Sequence, residues 1–110
     1  MQIPNADQAI IAEDKLVDYL LNRAHRRGSS KATVLLAFGY DPAHWQRLAD
    51  DLRRFHLPRD ADNTRETDYG MRYEIRADLL TPSGRLLTIR SVWQIDSGAN
   101  VPRLITLFPD

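Results

Sequence analysis

Hydrophobic residues change period once along this chain, and the change separates a helical half from a strand half. In the first half they recur at helical spacing. Leu16, Val17, Leu20 and Leu21 form one stripe of a first helix. It is expected to start near residues 12–14, where acidic side chains suit the positive end of the helix dipole. Residues 23–27 are expected at its C-terminal end or just beyond, with Gly28 as the breaker. Ser29 or Ser30 can cap a second, short helix that carries Lys31 in its first turn and turns Ala32, Leu35, Leu36 and Phe38 inward. Gly39 ends it. Asp41 and Pro42 supply the N-cap and first position of a third helix, whose stripe is Trp45, Leu48, Leu52 and Phe55.

From residue 69 the period falls to two. Tyr69, Met71, Tyr73, Ile75, Ala77 and Leu79 alternate with Gly70, Arg72, Glu74, Arg76 and Asp78, as in a strand buried on one side. The turn sequence Thr81-Pro-Ser-Gly84 makes residues 85–95 its hairpin partner. A second turn over 96–100 leads to a third strand over 102–108, and the polar stretch 57–68 reads as a loop. The expected fold is α+β, with two or three N-terminal helices (about 8–56) packed on an antiparallel meander of three to four strands (about 69–108). The 110 residues suit a single domain. Trp45, Trp93, Tyr69 and Tyr73 are expected in the core, although Trp93 could instead stack a base. His44 and His56, at opposite ends of the third helix, are expected to face solvent.

Composition narrows the function. Lys plus Arg and Asp plus Glu balance at 15 each, so any anion binding must be local. With no cysteine, and no HxH or HExxH pattern among His25, His44 and His56, neither a metal nor any other cofactor is expected. No run is long and apolar enough to span a membrane, and the N-terminus lacks the features of a signal peptide. A cytoplasmic protein with no membrane partner is the expectation.

Candidate chemistry concentrates between Asn22 and Lys31. His25 can exchange a proton near neutral pH, as acid–base catalysis requires, or it can simply cap the first helix. Lys31, at a helix start, can hold a phosphate oxygen or remain a solvated lysine. Gly28 would let the backbone turn and bring the two side chains together. Arg23, Arg26 and Arg27 form a basic rim that would steer RNA or an acidic partner. Arg90, in the most apolar strand, needs either a ligand or a carboxylate such as Glu74 or Asp78. Arg103 and Thr106 are three apart, so they face opposite ways unless a bulge intervenes. Arg90 and Thr106 share a face if the register allows it.

Several phrases together resemble a bacterial family of small domains of unknown function. They are Ile3-Pro-Asn-Ala6, Asp18-Tyr-Leu-Leu-Asn22, His25, Gly28 with Lys31-Ala32, Phe38-Gly-Tyr40, Ser91-Val-Trp93, Val101-Pro-Arg-Leu-Ile-Thr106 and Phe108-Pro109. The family carries a YLLNxxHxxGxxKA segment and ends in PRLVTxYP; here Phe108 stands where it often has Tyr. The resemblance implies an association with polymorphic toxins and toxin–antitoxin systems. More distantly, the order of elements is similar to the barnase-EndoU-colicin-RelE class of metal-independent ribonucleases.

Two functional classes follow. In the first, the chain is an endoribonuclease that leaves a 2′,3′-cyclic phosphate. His25 is then the acid or base, Lys31 and Arg90 stabilise the phosphate, Thr106 orients it, and Arg26, Arg27 and Arg103 bind substrate. In the second it is a non-catalytic module (an antitoxin, immunity-like protein or adaptor) or a toxin fold without activity. The partners implied are RNA and a cognate antitoxin or immunity protein.

Overall fold

A computed structural model describes residues 1–26 and 29–110; the expectations for Arg27 and Gly28 lie outside the described residues. Helices come first and a four-stranded antiparallel sheet follows. Helix α1 spans Ser29–Ala37 and helix α2 spans Gln46–Phe55. The strands are β1 (Asn63–Thr67), β2 (Gly70–Leu80), β3 (Leu86–Asp96) and β4 (Arg103–Pro109), in spatial order β1-β2-β3-β4. Among the described residues, no helix is long and apolar enough to cross a membrane.

The first helix differs from the expected one. It is a π-helix over Lys15–Leu20, closed by a bond of 2.8 Å from the Leu21 N–H to the Leu16 carbonyl. It ends before the basic residues, so His25 sits in a following turn rather than at the helix end. Leu16, Leu20 and Leu21 are buried, as their stripe requires. Asp41 caps the helical turn leading into α2, as expected, its carboxylate accepting from the Ala43 N–H at 2.9 Å. One turn of 3-10 helix, Pro42–His44, precedes α2.

The alternation of β2 fixes the layering. Tyr73, Ile75, Ala77 and Leu79 point to an inner face shared with Ile89, Trp93, Leu104 and Leu107, and α2 covers it through Leu48 and Leu52. Each leucine or isoleucine among them contributes about 1.5–3 kcal/mol when fully buried. Trp93 is fully buried, as expected.

Three expectations are corrected. Part of the supposed loop pairs with β2 as strand β1, because a polar strand at a sheet edge needs no apolar alternation. Tyr69 is 76% exposed, since it sits in the turn between β1 and β2, ahead of the strand. His56 is fully buried. Its Nε2–H donates to the Ala77 carbonyl at 3.1 Å, so Nδ1 accepts from the Ser91 hydroxyl at 2.7 Å, which in turn accepts from the Trp93 indole at 2.8 Å. Every polar atom of this chain of bonds is satisfied by a neutral imidazole. Burial pushes the His56 pKa down to about 4, against the opposing bond to Ala77.

Candidate functional site

Among the described residues the sheet has no strand beyond β4, and the π-helix and α1 pack against β4. A π-turn carries an extra residue compared with an α-turn, so it presents side chains that an α-helical stripe would hide or misdirect. With Leu16 and Leu20 anchored in the core, Tyr19 projects along the edge of β4.

Three side chains meet there. The Lys31 ammonium donates to the Tyr19 phenol oxygen at 2.6 Å and to the Thr106 hydroxyl at 3.2 Å. The Tyr19 and Thr106 oxygens lie 3.2 Å apart and share a hydrogen bond. His25 meets the Tyr19 ring edge-on, with centroids 4.7 Å apart. A tight turn puts it there. The Asn22 side chain accepts from the Ala24 N–H at 2.9 Å and donates to the Asp18 carbonyl at 3.1 Å, and the His25 N–H returns to the Asn22 carbonyl at 3.1 Å.

The electrostatics favour charge on Tyr19. Burial by itself would raise the phenol's pKa. The hydrogen bonds with Lys31 and Thr106, together with the charges of Lys31 and Lys15, outweigh it and hold the phenol below its ordinary value. Tyr19, His25 and Thr106 line an open cleft of about 560 Å³ with Asp14, Lys15, Asp18 and Ile105. A phenol held below its ordinary pKa and an imidazole line one cleft, with the Lys31 ammonium bonded to the phenol oxygen, and such groups can in chemical principle serve as base, acid and anion holder. Among the described residues no group of three or more His, Asp or Glu is arranged to hold a metal.

The register decides which strand residues can join them. A bulge at Ile105 separates the pairs Val92↔Thr106 and Trp93↔Leu104. Arg103, opposite Gln94, and Thr106, opposite Val92, therefore share the outer face despite their odd spacing. Arg90 lies on that face too, opposite Phe108. Its guanidinium, however, is held by Asp110 at 2.9 Å and Glu74 at 3.2 Å, and it does not line the cleft. The bond to Asp110 is the main reason its pKa is raised. Arg103 grips Asp96 with two bonds of 2.8 and 3.1 Å. Arg26 is exposed.

Tyr19 is the residue that sequence reasoning missed. It lies in the quoted segment Asp18-Tyr-Leu-Leu-Asn22, and it falls outside the apolar stripe of Leu16, Val17, Leu20 and Leu21. An aromatic off the stripe, as far before His25 as His25 is before Lys31, was the available signal.

The model of a family described as "Domain of unknown function (DUF6883)" matches residues 2–110. One chain of a solved structure, "Contact-dependent growth inhibition toxin - immunity protein complex from Klebsiella pneumoniae 342", has the same fold. Its TM-score is 0.76 at 18% identity, over 96% of each chain. No curated protein matches the chain.

Proposed function

The chain belongs to the DUF6883 family, and we propose that it is a toxin-system domain that cleaves RNA without a metal ion. The observation that carries this reading is the Lys31–Tyr19–Thr106 cluster with His25 against it in an open cleft. The fold shared with a chain of a toxin–immunity complex supports the setting.

In this reading the Tyr19 oxygen takes the proton of a ribose 2′-OH as that oxygen attacks phosphorus. The bond from phosphorus to the 5′-oxygen breaks, and His25 in its protonated form gives that oxygen a proton. Lys31 and the Thr106 hydroxyl stabilise the non-bridging oxygens as negative charge grows. The products are a 2′,3′-cyclic phosphate and a 5′-hydroxyl. Asp14 and Asp18 in the same cleft favour a second reading, a non-catalytic module that binds a basic partner surface.

Incubation of the purified protein with total tRNA and mRNA separates the two. Fragments ending in 2′,3′-cyclic phosphate are expected, with the rate reduced about 100-fold or more in Tyr19→Phe, His25→Ala and Lys31→Met. Intact RNA, or variants as active as wild type, would count against the enzyme. Harmless high-level expression of the gene alone would favour the binding module.

A further inference from the structure

The outer face of the sheet carries two arginine pairs directly across from each other, and among the described residues a carboxylate joins just one of these pairs. Arg76 opposes Arg90, and Arg65 opposes Arg72. Like charges so placed destabilise a sheet unless something lies between them. For Arg76 and Arg90 that is Asp110, whose Oδ2 accepts from both at 3.1 and 2.9 Å. Arg65 and Arg72 have no carboxylate in ion-pair range among the described residues. Among the described residues Arg72 bonds the Gln94 side-chain oxygen at 2.9 Å, and its Nε–H is buried with no hydrogen-bond partner. The nearby carboxylate Asp96 is already committed to Arg103.

Arg72 lines a cleft of about 660 Å³ that shares Lys15 and Ile105 with the Tyr19 cleft. Tyr69 lies on its rim. The Tyr69 backbone is fixed, its carbonyl accepting from the Ser97 N–H at 2.9 Å, while the ring is exposed. An exposed aromatic ring and an arginine without a carboxylate partner, on one cleft, are the pairing that holds a nucleotide, with the base stacked on the ring and the phosphate on the cation.

The geometry points to this second cleft as a subsite for the neighbouring nucleotide of the RNA, with Arg72 on a flanking phosphate, Arg65 and Lys15 adding charge, and Tyr69 under the base. It rests on the reading of the Tyr19 cleft as the place of cleavage. Asp68, also on the lining, opposes the anion and disfavours a second phosphate there.

The probe is a 2′-O-methyl oligonucleotide of about twelve nucleotides, which lacks the attacking hydroxyl and so reports binding alone. Fluorescence anisotropy of the full chain should show Arg72→Gln weakening binding about tenfold and lowering the salt slope by about one. Tyr69→Ala should weaken it about fivefold or more. Arg76→Gln removes the same charge from the carboxylate-neutralised pair and should bind within about twofold of wild type. Equal losses in Arg72→Gln and Arg76→Gln, with native circular dichroism in both, would overturn the subsite. So would a wild-type protein that ignores the probe at about 50 mM salt; an acidic protein surface would then be the better partner for the arginines. Probe binding that depends on Arg72, in a protein that leaves RNA intact, would uphold the subsite and reject cleavage.

Discussion

Two forces act on the Tyr19 phenol in opposite directions. Burial disfavours the phenolate; the Lys31 and Thr106 hydrogen bonds, with the charges of Lys31 and Lys15, favour it and prevail. Ultraviolet titration should therefore show one tyrosine ionising below the usual value of about 10, missing in Tyr19→Phe. In Lys31→Met only the Thr106 bond and the Lys15 charge still oppose burial, so the same titration should move upward. Any rate that depends on the phenolate should rise with pH along the same curve and shift with it. A titration unmoved by Lys31→Met would refute the coupling. His25 and Lys31 were legible as candidates because their chemistry is intrinsic to the residue type. Tyr19 was not, because a phenol becomes reactive only through the neighbours it acquires on folding.

Single backbone irregularities place whole elements. The π-turn at Lys15–Leu20 aims Tyr19, and the bulge at Ile105 puts Arg103 and Thr106 on one face. Strict alternation along β4 could not show the bulge, because one extra residue costs little in sequence pattern while shifting every later side chain. Gly70 sets the start of β2. Its φ is +141°, and a Cβ there would lie 2.1 Å from the Ile95 carbonyl oxygen and 2.8 Å from the Asp96 Cα. Both neighbours are backbone of β3 and cannot step aside cheaply. Gly70→Ala is expected to cost about 3 kcal/mol or more, combining dihedral strain with overpacking, and to lower the denaturant midpoint accordingly. A midpoint equal to wild type would show that the turn relaxes freely.

Across the whole molecule, α2 is tied to the sheet through a buried imidazole. His56 bridges Ser91 on β3 and Ala77 on β2 while neutral. Its pKa falls from 6.5 to about 4 on folding, mainly through burial. The unfolded chain thus binds a proton at a pH where the folded one does not. The stability His56 contributes is complete above about pH 6.5 and is lost progressively as pH falls toward 4, amounting to ~3 kcal/mol. Urea unfolding between pH 7.5 and 4.5 should show a decline in that window. NMR of the His56 ring should show it neutral in the folded protein at about pH 5. A ring that protonates near pH 6.5 while the fold persists would contradict the assignment.

The sequence by itself determined the order of elements, helices and then antiparallel strands, because hydrophobic period is a local property. It also determined the main turns and caps, such as Asp41 with Pro42, most of the inner face of β2, and the burial of Trp93 on β3. Tertiary structure alone decided which chemical groups meet. It brought Tyr19, Lys31 and Thr106 within hydrogen-bonding distance across 87 residues of chain, gave Arg90 to Asp110 and Glu74, buried His56 and left Tyr69 outside. Those outcomes depend on register, on one bulge and on one π-turn. Such features are fixed by packing between distant segments, and no local pattern of residues encodes them.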